Sequence, residues 1–142
     1  MVTLMIFVPY IMFEGNAEEA LNFYGDILGK SKEPYIMRYT DMQGMEIPDD
    51  YKNKILHAEL NFPGGTIYIS DAFPGTTVTY NESIAFNIGP DTEEELNRLY
   101  NALLEDGTEV QPLADTFWGA KFGSINDKFG LHWSFNYTLP KA

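Results

Sequence analysis

The chain has 142 residues, of which 44% are hydrophobic, and this is enough for one domain with a substantial core. Its formal net charge of −12 at pH 7 repels phosphate backbones and anionic lipid headgroups, so we expect no nucleic-acid partner and no membrane partner. The absence of cysteine excludes disulfides, thiolate catalysis and thiolate metal sites, and it is typical of a cytoplasmic protein.

Residues 1–13 are almost wholly apolar and are predicted to form a buried strand. They lack the basic start and the small-residue cleavage site of a signal peptide, and they are fewer than the roughly 20 residues that span a bilayer. A helix is predicted to follow this strand. Asn16 is its expected N-cap, acidic residues occupy its first turn, and Gly29 ends it.

Two strands are predicted next, a short one over 33–39 and one with clean alternation over 54–62. Residues 40–53 between them are polar and show no period. This segment is either a lid over a cavity or a surface excursion, and we favour the surface excursion.

Residues 63–71 are predicted to form a hairpin turn and a fourth strand. If two glycines occupy the centre of the turn, Asn61 lies opposite Tyr68. Glu59 then lies opposite Ser70, so the polar side chains share one face of the sheet.

The second half of the sequence repeats the order of the first after a linker at about 73–81, which is rich in Pro, Gly and Thr. The predicted elements are a strand over 82–88, a helix capped by Asp91 or Thr92 that runs through Glu105, and strands over 108–112, 118–125 and 131–137. The two helix starts, Glu18-Glu-Ala-Leu-Asn22 and Glu93-Glu-Glu-Leu-Asn97, also align. We therefore interpret residues 1–142 as a single domain of two βαβββ modules, at about 1–72 and 82–138.

The last two strands form a hairpin with a large aromatic content. Its turn is predicted at Asn126–Gly130, where Asn and Asp start the reversal and Gly supplies a positive φ. Large apolar area comes from Trp118, Phe122, Trp133 and Phe135. These residues fit a curved, ligand-binding sheet and also an ordinary sandwich.

Three stretches of the sequence carry a family resemblance. They are the run Thr-Phe-Trp-Gly-x-x-Phe-Gly-x-x-x-Asp-x-Phe-Gly over 116–130, the run Gly15-Asn-Ala-Glu-Glu-Ala-Leu-Asn-Phe-Tyr24, and His57-Ala-Glu-Leu60. Together they resemble the PhnB-like branch of the glyoxalase/bleomycin-resistance/dioxygenase superfamily, also called the vicinal-oxygen-chelate superfamily. The resemblance implies an α+β fold in which two βαβββ modules form a cupped, barrel-like mixed sheet with the helices outside. It also implies a homodimer, with each cup built by one chain or by two.

The resemblance and the strand alternation together predict the residues of a ligand cavity. The candidates are His57, Glu59, Asn61, Tyr68, Ser83, Trp118 and Ser134. Leu56, Leu60, Ile84 and Phe86 are expected to pack against the helices. We expect Tyr68 and Trp118 to stack on a ligand and His57 and Glu59 to anchor it, although Trp118 also fits a core and Tyr68 also fits a cross-strand pair.

Metal-dependent members of the superfamily hold a divalent ion with His and Glu side chains from four strands. The matching positions here are Pro9, Tyr68, Ser83 and Ser134, and none of them supplies an imidazole or a carboxylate. The resemblance therefore implies that the usual metal site is lost. An alternative is a displaced divalent metal site formed by His57, Glu59 and His132, because two histidines and a glutamate can bind zinc or iron.

Two functions follow from this reading. The first is a small-molecule-binding protein without a metal or other cofactor, and the second is a metal-dependent lyase, isomerase or dioxygenase that uses the displaced site. The sequence contains no phosphate-binding Gly-rich loop and no nucleophile elbow, so whether the protein is an enzyme stays open. Members of this branch are often described as 3-demethylubiquinone methyltransferases, but the predicted modules offer no doubly wound parallel sheet for S-adenosylmethionine.

Overall fold

The structure is a computed structural model that describes residues 4–141. Its internal contacts group the chain into two units, one ending at Val78 and one beginning at Thr79, so the boundary falls within the predicted linker. Within residues 4–141, each unit contains one α-helix and four strands in the order βαβββ. The prediction of an α+β chain with two βαβββ modules is therefore confirmed. Neither helix found between residues 4 and 141 has the length and apolar character needed to cross a bilayer.

The first module is a four-stranded mixed sheet with its helix packed on one face. Its elements are β1 (Tyr10–Phe13), α1 (Ala17–Leu28), β2 (Tyr35–Arg38), β3 (Ile55–Phe62) and β4 (Gly65–Asp71). The strands lie in the order β1-β4-β3-β2, with β1 parallel to β4 and the other pairs antiparallel. Small and apolar side chains recur at helical spacing on α1, and they are buried together with the sheet residues Ile11, Ala58, Leu60, Ile67 and Ile69. The opposite face of the sheet carries the polar residues of the same strands.

The apolar start of the chain is a strand only at its end. β1 begins at Tyr10, and each large apolar side chain from Leu4 to Phe7 is at least 75% exposed. The prediction of a buried strand is therefore wrong for residues 4–9, while residues 1–3 lie outside the described residues. Pro9 gives the physical reason, because it has no N–H to continue the ladder with β4.

The β3–β4 hairpin forms as predicted, but the expected register is wrong by two residues. Glu59 lies opposite Tyr68, and Asn61 lies opposite Thr66. Pro63 and Gly64 occupy the centre of the turn in place of two glycines, an order typical of a type II turn, and Gly64 has a φ of +98°. Because side chains alternate with a period of two, this shift leaves the polar residues on the same face.

The start of α1 is capped by a distant carboxylate. Asn16 is the N-cap residue, as predicted, but its side chain makes no capping hydrogen bond. Asp71, which is 1% exposed, instead accepts hydrogen bonds from the backbone N–H groups of Gly15 at 2.8 Å and Ala17 at 2.9 Å through Oδ1. Its Oδ2 accepts from the N–H of Ile55 at 2.9 Å. One side chain thus satisfies orphan donors of α1 and β3 together. Ile55, and not the expected Leu56, is the fully buried residue at this end of β3.

The segment 40–53 is tied to the same end of the sheet. It starts and ends near two single turns of 3₁₀ helix, Tyr39–Asp41 and Asp49–Tyr51. The buried Tyr39 donates its hydroxyl to the carbonyl of Asp71 at 2.8 Å, and Tyr51 donates to the carbonyl of Ala72. Burial raises the pKa of Tyr51 to about 12. These contacts anchor the segment to its own module.

The second module has the same topology. Its elements are β5 (Phe86–Ile88), α2 (Glu93–Leu104), β6 (Thr108–Asp115), β7 (Ala120–Asn126) and β8 (His132–Thr138), with the strands in the order β5-β8-β7-β6. Thr92, one of the two predicted caps, caps α2 by accepting from the N–H of Glu95 at 3.1 Å. The β7–β8 turn also follows the prediction, with Gly130 at a φ of +94°. In this turn the buried Asp127 accepts from the N–H groups of Phe129 and Leu131 and from the indole N–H of Trp133.

Strand β5 is shorter than predicted. The residues before Phe86 form a turn in which the side chain of Asn81 accepts from the N–H of Ser83 at 2.9 Å. Such local hydrogen bonds compete with strand formation. Ile84 is consequently 72% exposed, and the expectation that it packs against a helix is wrong.

Asp71→Asn is expected to lower the free energy of unfolding by about 3 kcal/mol, because an amide can no longer accept three N–H bonds as an anion. Asn16→Ala is the matched control, since that side chain makes no capping bond, and it should cost less than about 0.5 kcal/mol. Urea denaturation followed by fluorescence measures both. Equal losses in the two variants would contradict the role assigned to Asp71.

Candidate functional site

The polar face of the first sheet brings together side chains from all four strands. The parallel pairing of β1 with β4 sets Tyr10 beside Tyr68. The two antiparallel pairings then set Glu59 beside Tyr68 and Tyr35 beside Glu59. His57 lies two residues before Glu59 on β3 and therefore shares this face. We call the group Tyr10, Tyr35, His57, Glu59 and Tyr68 the His57 face.

Both ring nitrogens of His57 are hydrogen-bonded. Nε2 lies 2.9 Å from Oε2 of Glu59, and Nδ1 lies 2.8 Å from the hydroxyl of Tyr10. An ionised carboxylate only accepts hydrogen bonds, so with Glu59 ionised Nε2 carries the proton. In the neutral ring Nδ1 is then the acceptor for the Tyr10 hydroxyl. The result is a directed chain from Tyr10 through His57 to Glu59.

Three tyrosine rings surround the imidazole. The ring centroids of Tyr68, Tyr10 and Tyr35 lie 5.1, 5.5 and 6.4 Å from that of His57. Tyr68 meets His57 edge to face at 69°, and Tyr10 meets Tyr68 edge to face at 82°. Aromatic pairs favour this geometry, so packing holds the imidazole in place in addition to its hydrogen bonds.

Part of the His57 face is exposed to solvent. Tyr10 and Tyr35 are about half exposed, and the side chains of His57 and Glu59 are 25% and 37% exposed. The hydroxyls of Tyr35 and Tyr68 make no hydrogen bond to another residue within 4–141, and neither does Oε1 of Glu59. The face thus offers two phenolic donors and one carboxylate acceptor beside aromatic surface.

The candidates His57, Glu59 and Tyr68 are brought together on this face. Asn61 follows on the same side of β3, where its side chain accepts from the Thr66 hydroxyl at 2.8 Å. Tyr10 and Tyr35 were missed, because which strands are neighbours is a long-range property that β1 and β2 do not encode. One signal in the sequence could have identified each of them as a site candidate, namely a tyrosine with a polar hydroxyl in a mainly apolar strand.

The other three candidates belong to the second unit. Ser83 donates its hydroxyl to Asn81 in the turn before β5, and Ser134 on β8 donates to Asn87 at 2.8 Å. Trp118 lies in the turn between β6 and β7, is 57% exposed, and has its ring centroid 6.4 Å from that of Phe122. His132 is bonded through Nδ1 to the side chain of Asn126 at 2.8 Å.

The donor chemistry at the superfamily's usual metal positions does not fit a divalent ion. Pro9 has no side-chain donor, Tyr68 offers a neutral phenol, and the hydroxyls of Ser83 and Ser134 are bonded to neighbouring amides. Across the described part of the chain, no three His, Cys, Asp or Glu side chains are grouped so that they could hold a metal ion.

Comparison with known proteins gives consistent matches over nearly the whole chain. The family model described as 3-demethylubiquinone-9 3-methyltransferase matches residues 5–135. The crystal structure of protein PA1353 from Pseudomonas aeruginosa is similar, with 34% identity, a TM-score of 0.82 and coverage of 97% of this chain and 100% of that one. A Bacillus cereus structure described as a putative 3-demethylubiquinone-9 3-methyltransferase, PhnB protein, gives 26% identity, a TM-score of 0.77 and coverage of 94% and 100%. A glyoxalase/bleomycin resistance protein/dioxygenase family enzyme from Burkholderia phytofirmans shares the fold alone, at 14% identity, a TM-score of 0.59 and coverage of 92% and 97%.

Tyr10→Phe is expected to change the nitrogen environment of His57 and leave the ring packing in place. Loss of the phenolic donor should move the ¹⁵N resonance of Nδ1 toward that of a free imidazole nitrogen, while Nε2 keeps its proton. Long-range ¹H–¹⁵N NMR measures this, and the unchanged resonances of His132 serve as the internal control. A wild-type neutral His57 with its proton on Nδ1 would contradict the chain of hydrogen bonds.

Proposed function

The chain belongs to the family described as 3-demethylubiquinone-9 3-methyltransferase, the PhnB-like branch of the glyoxalase/bleomycin-resistance/dioxygenase superfamily, and we propose that it binds a small organic molecule on the His57 face without a metal ion. The observation that carries the proposal is a histidine held at both nitrogens and surrounded by three tyrosine rings. The cytoplasmic homodimer expected from the sequence stays a prediction.

The chemistry of the His57 face supports binding of a small molecule. Ligand sites combine aromatic surface with a few convergent polar groups, and this face provides both. Tyr68 and Tyr35 supply ring surface and free hydroxyls, and Glu59 supplies an acceptor. The fixed His57 ring keeps Glu59 in one orientation, which lowers the ordering entropy that binding costs.

The methyl transfer in the family's description is not part of this proposal. Residues 4–141 form two four-stranded mixed sheets, each with one helix. The binding of S-adenosylmethionine expected for a doubly wound fold needs a parallel sheet and a Gly-rich loop at a helix start. The turn before α1 contains a single glycine, Gly15, and its N–H is bonded to Asp71.

A thermal-shift screen of a diverse small-molecule library should find ligands that raise the midpoint of wild-type protein in a concentration-dependent way. Tyr68→Ala should abolish these shifts, because it removes ring surface and a free hydroxyl beside His57. His132→Ala is the matched control, since it changes the other histidine of the chain, and it should preserve them. A library without any saturable ligand, or hits that survive Tyr68→Ala, would overturn the proposal.

Elemental analysis of untagged, undialysed protein is expected to show no zinc, iron, nickel or manganese at stoichiometric level. The reason is the donor set, which offers a phenol and hydroxyls at the usual positions and a histidine with both nitrogens in use. About one metal ion per chain that is lost in both His57→Ala and His132→Ala would instead support the displaced site and revive a metal-dependent lyase, isomerase or dioxygenase.

A further inference from the structure

Within residues 4–141, no lysine or arginine side chain forms an ion pair with Glu59. Its ion-pair partner within the described residues is His57, which is charged only when it is protonated. With the neutral ring donating to Oε2, the carboxylate keeps its full charge, and Oε1 makes no bond within that part of the chain. This differs from Glu18 and Glu95, which are paired with Arg38 and Arg98.

Aromatic rings flank this carboxylate on both sides. The strand register sets Tyr68 directly beside Glu59 on β4 and Tyr35 directly beside it on β2. Tyr10 continues the row beyond Tyr68. The faces of tyrosine rings attract cations, and rings grouped around one point form the sites that recognise quaternary ammonium ions.

The charge of the whole chain acts in the same direction. A net charge of −12 raises the local concentration of cations and lowers that of anions near the surface. The partly exposed carboxylate of Glu59 between aromatic rings adds a local preference for cations. An anionic ligand would meet repulsion from Glu59 and from the chain as a whole.

We propose that the ligand of the His57 face is a small organic cation of the ammonium type. Its charged group lies against Oε1 of Glu59, and its methyl or methylene groups contact the rings of Tyr35 and Tyr68. His57 acts as a positioning residue, because its bond to Oε2 fixes the carboxylate. This inference rests on the proposed small-molecule binding at the same face.

The test compares three probes of one shape and different charge. They are choline, its neutral carbon isostere with a tert-butyl group in place of the trimethylammonium group, and the anion tert-butylacetate. Binding is measured by NMR titration of wild-type protein at low ionic strength. Choline is expected to bind about tenfold more tightly than the neutral isostere, with no binding of the anion. Added salt should weaken the binding of choline and leave that of the isostere unchanged.

The variants separate the local carboxylate from the general charge. Glu59→Gln should reduce choline affinity about tenfold and leave the neutral isostere unaffected. Glu46→Gln is the matched control, since it removes one exposed carboxylate from the same module and should change neither probe. Equal effects of the two substitutions would show that net charge, and not Glu59, attracts the cation, and this would overturn the inference.

The outcomes also distinguish this inference from the proposed function. A neutral isostere that binds as tightly as choline would overturn the preference for a cation and leave small-molecule binding intact. If none of the three probes binds but a library ligand binds in a way that depends on Tyr68, the preference for a cation would likewise be overturned and small-molecule binding would stand. Failure of the three probes and of the whole library would overturn both.

Discussion

The buried carboxylate of Asp71 is the constraint on which the first module depends. Three backbone N–H groups point at it, from Gly15 and Ala17 at the start of α1 and from Ile55 at the start of β3. Asp71 itself ends β4, so one side chain sets the relative positions of a helix and two strands. An ionised acceptor suits this place because each charge-assisted bond is worth about twice a neutral one, and because the N–H groups at a helix start favour negative charge.

The hydrogen bonds accepted by Asp71 also hold the strands of the candidate site in position. Ile55 precedes His57 by two residues on β3, and Tyr68 precedes Asp71 by three on β4, so the anchor lies close to both strands of the His57 face. A slip of one residue between these strands would turn His57 and Glu59 toward α1 and bury a charge in the apolar core. The hydrogen bonds of Asp71 therefore help to keep the side chains of the His57 face in place, although Asp71 is not hydrogen-bonded to His57.

The sequence predicted what depends on local pattern and missed what depends on distant partners. Alternation correctly placed Glu59 and Tyr68 on one face, and capping preference limited the cap of α2 to Asp91 or Thr92, of which Thr92 is the cap. Asn16 was correctly predicted as the N-cap position, but its side chain makes no capping bond, and the distant Asp71 accepts from the N–H groups of Gly15 and Ala17. The predicted register of the β3–β4 hairpin was wrong because Pro-Gly is preferred over Gly-Gly at the centre of the turn. Tyr10 and Tyr35 could not be assigned to the site, because the sequences of β1 and β2 do not indicate which strands they pair with.

The family resemblance predicts the fold better than it predicts the chemistry, and the contacts of the residues that carry the resemblance show why. In the run 116–130, Asp127 and Gly130 shape the β7–β8 turn and fix Trp133. The His57 face draws on the run 57–60 for His57 and Glu59, and on three tyrosines, Tyr10, Tyr35 and Tyr68, that lie outside all three runs. A metal ion could bind His57 only by displacing Tyr10 or Glu59, because both nitrogens are already bonded. The same two bonds leave Oε1 of Glu59 without a bond within residues 4–141, so the arrangement that disfavours a metal at His57 supports the proposed binding of an organic ligand.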